Sequence, residues 1–239
     1  MTRVLMGAVV VATLATLGVG GSALAGSSAD AKTVRLKAAT LIVEVNATDG
    51  DAGLQVFLDA EAWKTMRIMD PKGRPILDVT AQARLEGYGL TELFSESSEP
   101  PFDVFPLERF KTLFPEGRYT FTGTTIEGRK LTGSAKLSHD FPAGPTIVAP
   151  ANESKVGHAG VVARWRAVPE TAGVDVVGYR AIVTREGPLR ILSVDLPASA
   201  RLVEIPSAFL QPRTEYKLEV QSIEKSGNQT LTEVTFRTR

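Results

Sequence analysis

The stretch FLQPRTEYKLEVQSIEKSGNQT, Phe209 to Thr230, carries the strongest pattern in the chain. Every second position of its first part holds an apolar side chain, a proline or a threonine: Leu210, Pro212, Thr214, Tyr216, Leu218 and Val220. Side chains of a β-strand alternate between its two faces, so this period of two predicts a strand with one buried face. Gly227 then supplies a turn into another strand.

Further strand-like segments precede that stretch. In VVARWRAV, Val161, Ala163 and Trp165 alternate with valine and arginine. The segments DVVGYRAIVTRE, LRILSVDLP and ARLVEIP follow in order, at residues 175–186, 189–197 and 200–206. Short alternating segments at regular spacing are typical of a β-sandwich.

Taken in chain order, these motifs resemble a fibronectin type III domain spanning about Pro145 to Arg239. Trp165 is similar to the core tryptophan of the second strand of that family, and Tyr179 to the tyrosine of the third. The run Leu210-x-Pro212-x-Thr214-x-Tyr216 resembles the entry to the sixth strand, which carries the tyrosine corner. The resemblance implies a fold and no activity. The turn around Gly227 contains no Arg-Gly-Asp tripeptide, so adhesion of the integrin type gains no support.

The first half of the chain also alternates with a period of two. LIVEVNA (41–47), LQVFLDA (54–60) and WKTMRIMD (63–70) predict three strands separated by short polar links, and ILDV (76–79) a fourth. Turn residues at Asp49-Gly50, at DPKGRP (70–75) and at Glu127-Gly128 predict three hairpins.

One helix and one irregular segment interrupt these strands. Pro106 to Phe114 places Leu107, Phe110 and Phe114 on one helical face, with Pro106 at its start and Pro115 after its end. The preceding residues 88–105 are rich in Ser, Glu and Pro and predict an irregular acidic crossover.

The predicted fold class is therefore all-β, with two β-sandwich domains in tandem and one short helix in the first. An Ig-like or related sandwich is expected over residues 34–142 and a fibronectin type III sandwich over residues 143–239. Three prolines between Phe141 and Ala151 place the boundary near Ala143. With NATDGDAG (46–53), GLTELF (89–94) and FPEGRYTFTG (114–123) in its first half, the chain as a whole resembles exported bacterial proteins that pair such a half with a type III module. This resemblance implies architecture and compartment only.

The first 25 residues have the form of a secretory signal peptide. Arg3 precedes the apolar stretch from Val4 to Val19, and Ala23 and Ala25 form the small-residue pattern of a cleavage site. We predict cleavage after Ala25 and a protein exported to the periplasm or the extracellular space. The alternative is an uncleaved membrane anchor, and no later apolar run is long enough to span a bilayer.

Composition excludes several kinds of site. The chain of 239 residues has no cysteine, which excludes disulfides, thiolate metal sites and cysteine nucleophiles. Lys and Arg together number 27, as do Asp and Glu, so the balanced charge gives no sign of nucleic-acid binding.

Few residues could carry catalysis. His139 and Asp140 form a candidate acid–base pair, but no Gly-x-Ser-x-Gly elbow accompanies them, and His158 stands alone. We expect both histidines at strand ends or in the linker. The acidic side chains of the crossover are expected to solvate a loop; they are Glu92, Glu96, Glu99 and Asp103.

The loop VNATDGDAG, Val45 to Gly53, could be a calcium site or a tight turn. Counted from Asp49, only Asp51 falls at an EF-hand ligand position with a carboxylate. Asp49-Gly50 between alternating strands favours a hairpin turn. The segment from Asn46 to Asp51 is thus either a turn or a calcium site, and its ligand count favours the turn.

Aromatic residues and asparagines complete the set of candidates. Exposed aromatics could bind sugars, and Trp63, Tyr88 and Tyr119 are the candidates, although a core position is favoured for Trp63. Asn46, Asn152 and Asn228 match the N-glycosylation pattern, which matters only in a eukaryotic host.

These observations predict a non-catalytic, exported binding or spacer protein without catalytic, cofactor or metal residues. Its expected partner is another protein or a surface glycan and not nucleic acid, and it would contact a membrane only through an uncleaved signal segment. A carbohydrate-binding accessory protein is the alternative, and a hydrolase is less favoured because nucleophile, base and oxyanion hole are not recognisable.

Overall fold

Alternating apolar side chains build an all-β sandwich protein in which strands dominate and helices are short. A computed structural model describes residues 33–169 and 171–239, and the predicted signal peptide lies outside the described residues. None of the helices in these residues is long and apolar enough to cross a membrane. The elements of the first half are β1 (Val34–Arg35), β2 (Ala38–Asn46), β3 (Asp51–Met69), β4 (Pro75–Thr80), α1 (Arg84–Tyr88), β5 (Leu90–Glu96), α2 (Leu107–Leu113), β6 (Gly117–Thr125) and β7 (Lys130–Leu137). Those of the second half are β8 (Ile147–Ala149), β9 (Ser154–Val156), β10 (Val161–Trp165), β11 (Val176–Arg185), β12 (Arg190–Pro197), β13 (Leu202–Ile205), β14 (Glu215–Glu224) and β15 (Gln229–Thr238).

Strand β3 organises the first half because it pairs with four other strands of the same sheet. It is 19 residues long, and its pairing register shifts between Asp59 and Trp63. Before the shift it pairs with β2 and β5, and after it with β4 and β6. The two predicted strands at 54–60 and 63–70 are thus one continuous strand. Its inward side chains and those of β2, β6 and β7 enclose a core that contains Trp63 and Tyr119.

Three predicted hairpins of the first half are confirmed. Asn46 pairs with Asp51 across the first turn, Met69 pairs with Pro75 across the second, and Thr124 pairs with Lys130 across the third. In the second turn, the Asp70 carboxylate accepts hydrogen bonds from the backbone N–H groups of Lys72 and Arg74, at 2.8 and 2.9 Å.

The predicted helix is present as α2, with Pro106 at its N-cap and Phe110 as its buried residue. Two elements differ from the prediction. The crossover over residues 88–105 contains β5, which forms because β3 offers a free edge rather than because of its own pattern. The helix α1 was not predicted. It buries no residue and has no hydrogen-bonded side-chain cap, so the sequence gives no amphipathic pattern for it.

The second half is a β-sandwich, the fold that its sequence resemblance implies. One sheet contains β8, β10 and β13, and the facing strands are β11, β12, β14 and β15. Trp165 and Tyr179 meet in the core between them, with ring centroids 5.6 Å apart. The Tyr216 hydroxyl accepts a hydrogen bond of 2.7 Å from the Gln211 backbone N–H, which is the predicted tyrosine corner.

A parallel strand pair joins the two halves. Gln229, Thr230 and Leu231 of β15 lie opposite Glu44, Val45 and Asn46 of β2, so that one 12-stranded sheet runs through the whole molecule. The two hydrophobic cores are separate, one within residues 41–137 and the other within residues 161–236. The division of the chain at residue 143 stays a prediction, since the sheet continues across it.

Candidate functional site

An acidic cluster lies on one face of the shared sheet, where the two halves meet. Glu44 on β2 is opposite Gly53 of β3 on one side and opposite Gln229 of β15 on the other. Val43, its neighbour in sequence, faces the core of the first half. Glu44 therefore points away from that core, and the residues around it come from both halves.

Three carboxylates form the cluster. Glu44 comes from β2, Glu96 from the end of β5 and Glu99 from the loop that follows β5, and one carboxylate oxygen from each lies within 4.8 Å of the others. Glu44 is buried, whereas Glu96 and Glu99 are partly exposed. The cluster thus has a closed base and one side open to solvent.

The loop carrying Glu99 is tied to the strand beneath it. The Ser97 backbone N–H donates to the Leu54 carbonyl, and the Leu54 N–H donates to the Ser97 hydroxyl, both at 2.9 Å. Farther along, the Phe102 N–H donates to the Gly50 carbonyl at 2.7 Å. These bonds fix the loop on either side of Glu99.

Gly53 makes room for the third carboxylate. A Cβ atom at this position would lie 2.4 Å from Oε1 of Glu99 and 3.0 Å from its Cγ. Gly53 is also the residue opposite Glu44. The missing side chain is therefore what allows Glu99 to lie beside Glu44.

Three glutamine amides surround the carboxylates. Gln55 donates from Nε2 to Glu96 at 2.8 Å, Gln221 donates to Glu44 at 3.0 Å, and Gln229 also donates to Glu44. Gln55 and Gln221 are only 2% and 0% exposed, and the Oε1 atom of each is buried without a hydrogen-bond partner among the described residues. Two buried carbonyl-type oxygens thus remain unsatisfied beside three carboxylates.

Burial and mutual repulsion raise the pKa values of these three carboxyl groups. Burial, followed by the charges of Glu96, Glu219 and Glu99, raises the pKa of Glu44 to about 8. Burial, followed by Glu96 and Asp51, raises the pKa of Glu99 to about 7. Burial also raises the pKa of Glu96, although the hydrogen bond from Gln55 opposes it.

No lysine or arginine in residues 33–169 or 171–239 forms an ion pair with the three carboxylates. The nearby Lys217 on β14 is paired with Glu219 at 2.5 Å and Glu233 at 3.3 Å. Although burial opposes it, these two acids raise the pKa of Lys217. The positive charge of Lys217 is therefore balanced by Glu219 and Glu233, and the three carboxylates keep an excess of negative charge.

The loop Val45 to Gly53 is a turn, as the hairpin interpretation predicts. The Asn46 side-chain oxygen accepts hydrogen bonds from the backbone N–H groups of Thr48 and Asp49, at 2.9 and 3.0 Å. Gly50 has a φ of 69°, which glycine adopts without strain. The oxygen of Asn46 is therefore occupied by the backbone, and the acidic cluster lies beside this turn rather than in it.

The expectation for the crossover acids is correct for two of them and wrong for two. Glu92 and Asp103 are exposed, whereas Glu96 and Glu99 are drawn against Glu44. One strand neighbour of Glu44 is Gln229 of β15, 185 positions later in the chain. No local pattern could have identified this grouping.

The histidines show no catalytic arrangement. A ring nitrogen of His139 lies 2.8 Å from the Phe114 carbonyl, and its backbone N–H donates to Glu116. His158 lies in an exposed loop after β9. Both occupy the strand-end positions that the sequence indicates.

The aromatic candidates do not form a row. Trp63 and Tyr119 are buried in the first core, which confirms the core interpretation of Trp63. Tyr88 is 82% exposed at the end of α1. A flat sugar-binding surface needs several such rings, and these three candidates provide one.

The three glycosylation motifs lie in different surroundings. Asn152 is exposed and Asn46 is partly exposed, whereas Asn228 is 1% exposed. Asn228 holds the joint between the halves: its Oδ1 accepts from the Val43 N–H at 2.8 Å, and its Nδ2 donates to the Ser138 carbonyl at 2.9 Å. A glycan on Asn228 is incompatible with the folded state.

A surface cleft of the second half lies outside the acidic cluster. It is lined by residues 167–169 and 171–176 together with Tyr179, Ala198 and Arg201, and Asp175 is its only carboxylate among the described residues. Glycosidases hold two carboxyl groups about 5–9.5 Å apart across a cleft. The three carboxylates of the acidic cluster lie outside this cleft, and those of Glu44 and Glu96 accept hydrogen bonds from glutamine amides, which is a different arrangement.

Comparison with known proteins gives weak overall likenesses. No family model and no curated protein matches the chain. A two-domain fibronectin type III segment of chicken tenascin is 11% identical with a TM-score of 0.32, and the match covers 85% of this chain and 99% of that one. A structure described as a bacterial ice-binding adhesin is 17% identical with a TM-score of 0.29, covering 86% of this chain and 65% of that one.

The spore cortex lytic enzyme SleM of Clostridium perfringens is 18% identical with a TM-score of 0.28. That match covers 41% of this chain and spans only 28% of the enzyme. Likenesses of this size give no information on activity.

Proposed function

We propose that this chain is an exported, non-catalytic binding or spacer protein that holds two β-sandwiches in one fixed arrangement. The observation that carries the proposal is the continuous sheet across the two halves. A flexible linker would leave the halves free to rotate, whereas the parallel pairing of β15 with β2 orders both as one body.

Buried polar contacts support the fixed arrangement. Besides the bonds of Asn228, the buried Gln221 Nε2 atom of the second half donates to Glu44 of the first at 3.0 Å, and at the surface the Glu233 N–H donates to the Thr48 hydroxyl at 2.9 Å. Such bonds are lost if the halves separate, and each unsatisfied buried group costs about 1–3 kcal/mol. Rigid modules of this kind are suited to presenting a surface at a set distance and orientation.

The partner we propose is another protein or a cell-surface glycan, reached after export by the predicted signal peptide. The hydrolase alternative gains no support from the site, because the carboxylates lie outside the described cleft and no nucleophile among residues 33–169 and 171–239 is paired with His139. A dedicated carbohydrate-binding role has one exposed ring, Tyr88, in its favour.

Rigidity can be measured with spin labels, since the chain has no cysteine of its own. Labels at Thr120→Cys on β6 and Ser193→Cys on β12 span the two halves, and both positions are exposed. We expect a single narrow distance distribution, as narrow as that of the control pair Thr40→Cys and Thr120→Cys within the first half. A broad distribution for the spanning pair alone would refute the fixed arrangement.

Export and binding need separate measurements. Mass spectrometry of the protein recovered outside the cytoplasm of the producing cell should find Gly26 as the first residue. Labelled protein should bind isolated envelopes saturably, and protease treatment of the envelopes distinguishes a protein partner from a glycan. Retention in the cytoplasm, or binding that never saturates, would contradict the proposal.

A further inference from the structure

The acidic cluster contains more oxygen acceptors than the neighbouring hydrogen-bond donors can pair with. The three carboxylates of Glu44, Glu96 and Glu99 supply up to six oxygens. The amides of Gln55 and Gln221 are directed into the cluster, because their Nε2 atoms donate to Glu96 and Glu44. Their buried Oε1 atoms have no partner among the described residues, and such atoms in a native protein point to an unseen ligand.

The spacing of the carboxylates fits one small cation between them. Calcium binds about six to eight oxygens at about 2.3–2.6 Å, so two oxygens on opposite sides of the ion are about 4.6–5.2 Å apart. The oxygens of Glu44, Glu96 and Glu99 all lie within 4.8 Å of one another. An ion at the centre can therefore contact all three without movement of the strands.

We propose that Glu44, Glu96 and Glu99 form a calcium site at the joint between the two halves, with the amide oxygens of Gln55 and Gln221 as further ligands. Rotation of an amide exchanges its oxygen and nitrogen, which brings the unpaired oxygen toward the ion. The proposal goes beyond the binding or spacer function and does not depend on the identity of the partner.

The donor set selects the class of cation. All candidate ligands are oxygens, and the cluster contains no histidine, so zinc and copper are disfavoured. Magnesium needs near-ideal octahedral geometry at about 2.0–2.1 Å and gives up its water ligands reluctantly, so a mixed set of protein carboxylates and amides suits it less. Calcium tolerates irregular oxygen shells, and the partly exposed side formed by Glu96 and Glu99 gives it an entry path.

Electrostatics favours a divalent cation at this place. Asp49, Asp51 and Glu219 add to the negative potential at Glu99, while Lys217 is held by Glu219 and Glu233. Calcium would pair with this excess of negative charge.

A bound ion would connect the halves directly. Glu44, Glu96, Glu99 and Gln55 belong to the first half, whereas Gln221 lies on β14 of the second. Calcium would then stabilise the joint in addition to the hydrogen bonds of Asn228. The affinity expected is that of extracellular calcium modules, with a Kd of about 10⁻⁴–10⁻³ M or tighter.

Calorimetric titration of the purified full chain with calcium chloride, after removal of divalent ions, tests the site. We expect saturable binding of one ion and a rise of several degrees in Tm, since a ligand that binds only the folded state stabilises it. Magnesium chloride should bind more weakly. The variants Glu96→Gln and Glu99→Gln should each lower calcium affinity at least about tenfold, a loss of about 1.4 kcal/mol.

The matched control is Glu92→Gln, which changes an exposed acid on the same strand as Glu96. It should bind calcium like the unchanged chain. Near-ultraviolet circular dichroism in divalent-free buffer must show that all variants are folded, which is expected because glutamine preserves shape and removes repulsion. The proposal is overturned by absence of saturable binding at about 10 mM calcium, tenfold above the weak extracellular range, by tighter binding of magnesium, or by equal affinities of Glu92→Gln and the cluster variants.

Discussion

Replacement of Asn228 by alanine should weaken the joint between the two halves more than any comparable surface change. Asn228 is the acceptor for the Val43 N–H, and Val43 is fully buried. The backbone of Leu54, opposite Val43, bonds toward Ser97 instead, so β3 offers that N–H no alternative. An unsatisfied buried N–H costs about 1–3 kcal/mol, and loss of the bond to the Ser138 carbonyl adds about 1 kcal/mol. We therefore expect a total loss of about 2–4 kcal/mol.

Urea unfolding followed by tryptophan fluorescence measures this effect, since Trp63 lies in one core and Trp165 in the other. The unchanged chain should unfold in one transition seen by both residues. Asn228→Ala should lower the midpoint and separate the transitions of the two halves. Asn152→Ala is the control: this exposed asparagine also accepts a backbone N–H, that of Thr235 at 2.9 Å, but water can replace it. If Asn228→Ala costs no more than Asn152→Ala, the reasoning about the joint is refuted.

Three further changes test other parts of the structure. Tyr216→Phe should cost about 1 kcal/mol or more in urea unfolding, because it leaves the Gln211 N–H without its acceptor, and an unchanged midpoint would count against the tyrosine corner. Gly53→Ala should displace Glu99 and lower calcium affinity at least about tenfold in calorimetry. The control Gly87→Ala, whose Cβ would meet nothing within 4 Å, should leave calcium affinity unchanged. Equal affinities of the two variants would show that calcium binding does not need Gly53. Burial raises the pKa of Asp70, but hydrogen bonds from Arg74 and Lys72 outweigh it and lower the pKa below its usual 3.8. The ionised carboxylate therefore stabilises the fold above pH 3.8. This stabilisation is lost as the pH falls through the lowered pKa. Asp70→Asn should therefore destabilise the protein at pH 7 and progressively less in acid, and a difference that does not shrink between about pH 5 and pH 2 would contradict this assignment.

Local patterns predicted the parts of the fold that depend on local chemistry. Alternation from Leu210 to Val220 marks β14, and Asp49-Gly50 and Glu127-Gly128 mark hairpins, because side-chain period and turn preference are properties of neighbouring residues. β5 was missed for the opposite reason: Leu90 to Glu96 becomes a strand by pairing with β3, not by its own alternation.

The candidate site depends on contacts that no local pattern contains. Gln221 reaches Glu44 across 177 positions of sequence, and Glu99 comes into place because Gly53, in a different strand, has no side chain. The carboxylates of Glu96 and Glu99 look like ordinary loop acids until β2 and β15 are paired. Glu96 and Glu99 come close to Glu44 only when the strands have paired, so the cluster is a property of the completed fold.

The pairing of β15 with β2 also determines when the fold can be completed. β2 lies near the start of the described chain, and β15 is its final strand. During synthesis, one edge of β2 stays uncovered at residues 44–46 until residues 229–231 have been made. An open strand edge is a template for pairing with other chains. A protein truncated before β15 is thus expected to aggregate through β2, even though the core of its first half is complete.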